Sequence, residues 1–211
     1  MNSHHLLVAL ALLCATSSGF GQTGTLACGS LENGYGPFDY RATDARGRAI
    51  VEKFHFTPKV ETLQGGSTAS TPGGDLAYTL RAFPNHPRAL MATIKFSERT
   101  KKDPPPEMGY TVHCWLDRAE RFKPDDATVK MLFGIYLIRS GKAKEAIPKL
   151  ESALELSEND ANTLYNLGLA YFDLKEFDKS LELAHRAYSL GFPLPGLRDK
   201  LRRAGKWKEA S

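Results

Sequence analysis

The side chains able to carry chemistry are few and scattered. The chain holds three cysteines, Cys14, Cys28 and Cys114, and six histidines. It has no GxSxG nucleophile turn, no HExxH zinc helix and no phosphate-binding glycine loop with its lysine. A glycine-containing run, GTLACGS, begins at Gly24, but it does not follow a strand. His113 directly precedes Cys114, and adjacent residues on a helix point about 100° apart, which argues against a Cys–His nucleophile pair. Asp39, His55 and His86 are polar groups that a fold can bring together, yet no spacing requires it. His86, in PNHP, reads as a turn residue. With no CxxC and no Cys/His knuckle, neither redox catalysis nor a zinc site is expected. The sequence assigns no catalytic, cofactor-binding or metal residue.

The cysteines gain meaning from the N-terminus. Leu6 to Ala15 is an apolar run of ten residues, LLVALALLCA, followed by small and polar TSSGFGQ. A bilayer crossing needs about 20 such residues. The pattern is that of a secretory leader over 1–21, cut before Gln22, with Gly19 and Gly21 at the −3 and −1 positions. The opening MNSHH lacks the usual Lys or Arg, and the rival reading is a buried strand or helix. Leu13 beside Cys14 argues against lipoprotein processing, and Cys28 lies too far beyond the run. The expected location is the periplasm or the exterior. Cleavage removes Cys14 and leaves Cys28 and Cys114, a natural disulfide pair in an oxidising compartment. The bond would close a loop of roughly 87 residues, worth about 4–5 kcal/mol in the chain-entropy account. The alternative is two separate thiols, with Cys114 packed on a helix face.

The strongest signal is self-similarity at a fixed period. Gly134 and Gly168 stand 34 residues apart, and the alignment pairs Phe133 with Leu167, Leu137 with Tyr171, Ala146 with Ser180 and Ala153 with Ala187. Each block holds two amphipathic stretches, about Ala127–Ser140 with Ala143–Leu156, then Ala161–Leu174 with Phe177–Leu190. Gly141 breaks the first pair, and Asp160 is an N-cap for the helix after it. Small residues let paired helices approach: Gly134 is expected against Ala146 and Gly168 against Ser180.

These residues resemble the tetratricopeptide repeat family. YNLGLAYFDLKEFDKSLELAHRAYSL matches its pattern closely and LFGIYLIRSGKAKEAIPKLESALEL moderately. Lys130 departs from it at a usually apolar position, and no proline closes the first block. A degraded repeat precedes these, with Pro124 as its closing proline, a second helix about Tyr110–Phe122, a first helix about Pro87–Arg99 and a Pro-rich insertion over 100–109. Asp75–Phe83 reads as a still earlier second helix. The resemblance implies an all-α fold, a right-handed superhelix of helical hairpins with an irregular N-terminal segment and a C-terminal capping helix. The units are 22–74, irregular with one short helix from Thr57-Pro58 to about Leu63; 75–124, degenerate repeat helices; 125–193, two repeats; and 194–211, a basic capping helix. CGSLENGYGPFDYR, VEKFHFTPKVE and DLAYTLRAFPNHPRAL are together similar to a group of exported bacterial repeat proteins to which no activity is attached.

In this family, positions 2, 5, 9 and 12 of each first helix line the concave face. Carried over, these are Thr128, Met131, Ile135 and Ile138, then Asn162, Tyr165, Leu169 and Phe172. The set is largely apolar and lacks the Lys and Asn that clamp a peptide carboxylate. An exposed apolar groove of this kind should be occupied, either by a partner helix or extended segment or by the chain's own Cys28–Gly74 segment. The net charge of +4 resides wholly at the C-terminus, in Arg198, Lys200, Arg202, Arg203, Lys206 and Lys208 against Asp199 and Glu209. A terminal repeat needs a polar outer face; attraction to an anionic surface is the alternative, lipid or acidic protein before nucleic acid. The reading is a binding scaffold for an unidentified protein or peptide in the periplasm, with an envelope assembly as its setting. A membrane-surface adaptor acting through the basic C-terminus and an enzyme of another type are the rivals.

Overall fold

The structure is a computed structural model that describes residues 27–209; the expected leader, Leu6–Ala15 with the cut before Gln22, lies outside the described residues. Among them every regular element is a helix: α1 (Ala45–His55), α2 (Pro58–Glu61), α3 (Pro72–Ala82), α4 (Pro87–Thr100), α5 (Val112–Phe122), α6 (Ala127–Arg139), α7 (Ala143–Leu156), α8 (Ala161–Asp173), α9 (Phe177–Ser189) and α10 (Gly196–Arg203). None is long and apolar enough to cross a membrane.

Helix α6 packs chiefly on α7 and α8 on α9, while α4, α6 and α8 stack beside one another as an inner layer. One continuous core runs through the stack, from Leu76, Leu80 and Leu90 through Trp115, Leu132 and Leu150 to Leu164, Leu183 and Leu201. No hairpin could bury its own apolar stripe alone, so the neighbours are obligatory. The inner helices are started in the same way. His86 Nδ1 accepts from Ala89 N (3.2 Å), Asp126 from Thr128 N (3.0 Å) and Asp160 from Thr163 N (2.6 Å), each satisfying first-turn amides that have no helical partner.

The close approach within the first hairpin differs from expectation. A Cβ on Gly134 would stand 2.5 Å from Leu150 Cγ, so the glycine admits Leu150 rather than facing Ala146. In the second hairpin Ser180 Oγ donates to Gly168 O (2.9 Å), and a Cβ on Gly168 would meet Leu197 Cδ2 at 2.6 Å. Lys130, at a position usually apolar, is accommodated by an acid from α5: Glu120 takes Lys130 Nζ at 3.1 Å and is also paired with Lys149.

The segment 22–74 carries two helices where one was expected. Helix α1 escapes the sequence because only Val51 on it is fully buried, which leaves little apolar period to read. Asp44 caps it, accepting from Gly47 N at 2.8 Å. Helix α2 is a single turn. The irregular stretch expected to run to 74 ends at Thr71, because Pro72 opens α3 as its first residue, a position where a missing N–H costs nothing. A Cβ on Gly73 would collide with Pro106 O of the Pro-rich insertion, so the glycine is there for that approach.

Residues 27–43 form a strap across α3 and α5. Cys28 is bonded to Cys114. Arg118, 2% exposed, donates to Cys28 O at 3.1 Å and also to Ser30 O, and Arg121 donates to Gly29 O (3.1 Å). Further on, Phe38 N donates to Ala82 O (2.8 Å) and Tyr40 N to Asn85 Oδ1 (2.9 Å). Buried Asn85 then donates to Asp39 (2.7 Å) and to Asp126 (3.0 Å), tying the strap to the cap of α6.

Candidate binding groove

Positions along the inner layer decide which side chains face outward together. Pro87, Ala127 and Ala161 begin α4, α6 and α8, and residues one, four and eight further on share a face. From α4 this face presents Arg88, Met91 and Lys95; from α6, Thr128, Met131 and Ile135. The two sets meet. Glu61, Pro87, Arg88, Met91, Ala92, Lys95, Thr128, Met131 and Leu132 line one depression of about 240 Å³. Its floor is apolar, with a methionine from each helix, and its rim is charged. Arg88 Nε donates to Glu61 Oε1 at 2.7 Å, and this guanidinium draws the Glu61 carboxyl below its ordinary pKa, against a smaller opposing effect of burial. A second, narrower depression of about 60 Å³ continues from Thr128 and Met131 toward Asp160 and Thr163. Ile135 and Ile138 are half-buried further along α6, outside the lining of both depressions.

The second repeat does not extend the open face as expected. Tyr165 is buried: Phe192 stacks on its ring (centroids 4.2 Å apart), and its hydroxyl accepts from Leu197 N at 3.1 Å. Lys200 Nζ lies 5.1 Å over the Phe172 ring and pairs with Asp173 at 3.2 Å. Asn162 remains exposed and Leu169 half-buried. The cover over Tyr165 therefore comes from the C-terminal end. The Cys28–Gly74 segment, the occupant expected from within, supplies Glu61 to the wall at the opposite end. The physical reason is the disulfide and the Arg118 and Arg121 contacts, which hold the strap on α5. Sequence reasoning missed Arg88, Met91 and Lys95. The same carry-over applied to the helix starting at Pro87 would have found them.

The basic C-terminus is partly spent on the chain itself. Arg198 sits 5.6 Å over Tyr188, Arg202 reaches Glu209 (3.4 Å) and Trp207 (5.8 Å), and Lys206 lies 5.4 Å over Phe177. Arg203 and Lys208 are exposed. Leu197 and Leu201 of α10 are fully buried against α8 and α9, so the helix is spent on covering the last repeat.

The histidines do not gather. His55 Nδ1 lies 2.9 Å from Asp75 Oδ1, His86 Nε2 lies 3.2 Å from Glu52 Oε1, and Asp39 is engaged with Arg41, Asn85 and Lys123. His113 is exposed beside Phe133, and its neighbour Cys114 is in the disulfide. Asp75 is fully buried. Burial raises its pKa, but hydrogen bonds from Thr68, Ser67, His55 and Ala69 outweigh this and bring it to about 2. It is the anchor of the 67–69 turn. Among the described residues no three His, Cys, Asp or Glu side chains are grouped to hold a metal.

The family model described as TPR repeat matches residues 137–175. The solved structure "MamA 41-end from Desulfovibrio magneticus RS-1" superposes with a TM-score of 0.52 at 19% identity, covering 76% of this chain and 85% of that one. The "MamA RS-1 ArsTM double mutant" gives a TM-score of 0.51 at 19% identity over 76% and 84%. At this identity the likeness speaks for the fold alone. No curated protein matches the chain. The stacked hairpins have the tetratricopeptide-type arrangement, and residues 137–175 match that repeat. The fold is that of a protein–protein interaction scaffold, in which stacking creates extended concave surfaces.

Proposed function

We propose that the protein is an exported scaffold that holds a helical or extended segment of a partner protein in the groove between α4 and α6, within an assembly of the cell envelope. The depression shared by Met91 and Met131 carries this reading. It offers an apolar floor that adapts to different side chains, and charged rims at Arg88, Lys95 and Glu61 that orient a segment. Export is supported by the apolar run Leu6–Ala15 and by the Cys28–Cys114 bond, of a kind that persists in oxidising compartments.

The test is photo-crosslinking in cells from a probe at Met131 or Ile135, read by mass spectrometry. A crosslink to one other protein, lost when Met91→Glu places a charge on the floor, is the expected result. Crosslinks confined to this chain would overturn the groove. Alkylation of Cys28 and Cys114 in intact cells without prior reduction would overturn the oxidising location.

A further inference from the structure

Helix α1 has two faces with different contents. The inner one is fully engaged. Val51 is buried, His55 stacks on Tyr78 (3.8 Å), Glu52 accepts from the Tyr40 hydroxyl (2.9 Å), and Arg48 lies 5.0 Å over the Tyr40 ring. The outer one is a single stripe of Arg46, Ile50, Lys53 and Phe54, placed together by the helical repeat. Ile50 is 57% and Phe54 51% exposed. Among the described residues they are the two large exposed apolar side chains that share a helix. Lys53 Nζ lies 5.5 Å over the Phe54 ring, and on the adjacent α3 Arg81 lies 5.9 Å over Tyr78. Within α1 the one acid is Glu52, turned inward, and Asp44 before it is the helix cap. The stripe is therefore apolar and cationic with no acid of its own.

We propose that this ridge docks the protein on an anionic phospholipid surface. Ile50 and Phe54 enter the interface, while Arg46 and Lys53 lay their stems along it and take headgroup phosphates. The charge fits a phospholipid anion, and the shape fits a bilayer, which accepts a protruding ridge without a matching groove. The C-terminal cations, by contrast, are largely drawn onto Tyr188, Phe172, Asp173 and Trp207. The proposal does not rest on the groove. Helix α1 packs on α3 and lends no residue to the lining between α4 and α6, so both surfaces can be used together.

The test uses the full chain carrying Phe54→Trp, with the emission of Trp115 and Trp207 subtracted from the parent. Vesicles of phosphatidylcholine with about 30% phosphatidylglycerol are compared with phosphatidylcholine alone. A blue shift and quenching by brominated lipid with the anionic vesicles only, weakened by more than roughly thirtyfold by Arg46→Glu with Lys53→Glu, is the expected result, since loss of two cations alone is worth roughly thirtyfold at such a surface and reversal adds repulsion. A melting curve shows that each variant is folded. Unshifted emission with anionic vesicles overturns the proposal. So does a shift that survives charge reversal, and so does a concentration-dependent shift without vesicles, which marks docking between copies of the chain. Loss of crosslinking at Met131 with the lipid response intact would remove the groove and leave the ridge.

Discussion

The Leu197 backbone N–H donates to the Tyr165 hydroxyl over 3.1 Å, and this bond fastens the last helix over the second repeat. The amide belongs to the first turn of α10, where no helical acceptor exists. The tyrosine sits at a position that, one repeat earlier, faces the open groove. The groove is thus closed at one end by the chain's own C-terminal segment, which leaves the depression between α4 and α6 open.

Tyr165→Phe should remove this bond while keeping the ring stacked on Phe192. A buried amide left without its partner costs about 1–3 kcal/mol. Hydrogen exchange should quicken in α10 and remain unchanged in α6 and α7. Uniformly faster exchange would show that α10 is not a separable cap.

A pH effect follows from His86, which is fully buried. Burial lowers its pKa to about 4, only partly opposed by Glu52. Its folded value lies below the ordinary 6.5, so the unfolded chain takes up a proton first as pH falls. Stability from this group is complete above 6.5 and is lost between 6.5 and 4, amounting to roughly 3 kcal/mol. Asp75, lowered to about 2, adds its own loss only below the ordinary carboxylate range. Denaturant midpoints from pH 7 to 5 should fall for the parent. They should flatten in His86→Asn, which retains a cap without the titration. An equal slope in the variant would rule His86 out.

The Cys28–Cys114 bond spans a sequence separation of 86. Replacing both cysteines by serine should cost about 2–5 kcal/mol. Residues 35–43 should stay protected, because Ala82 O and Asn85 hold them independently. Exchange that spreads through the whole strap would mean that these bonds depend on the disulfide.

Lys175 adopts a left-handed backbone (φ 63°) at the turn that Gly141 (φ 73°) makes one repeat earlier. Lys175→Gly should raise stability by about 0.5–1 kcal/mol, since relief of the side-chain strain exceeds the entropy a glycine adds to the unfolded chain. Gly141→Lys should lower it by a similar amount. Thermal melts of the pair check both directions, and equal melting temperatures would show that the turn carries no strain.

The inner layer was legible where composition repeats at a fixed period. Gly134 with Gly168, and Ala153 with Ala187, announce hairpins that must stack because none can bury its stripe alone. The all-helical fold followed. Lys130 broke the pattern legibly, but its partner Glu120 lies on a different hairpin and no spacing points to it. Helix α1 was hidden for a related reason: with a single buried residue, its period is set by Tyr40, Asp75 and His86, which meet it only in space.

Sequence by itself determined the repeat, its helices and the charge at the C-terminus, because those depend on neighbours a few residues apart. Only the tertiary structure decided which concave residues stay open. Tyr165 and Met131 occupy matching positions in successive repeats. One is covered by Phe192 and Leu197, and the other lines a depression with Met91. That difference is made by segments approaching from outside the repeat. Such an approach is a property of packing between distant parts of the chain, which local periodicity does not encode.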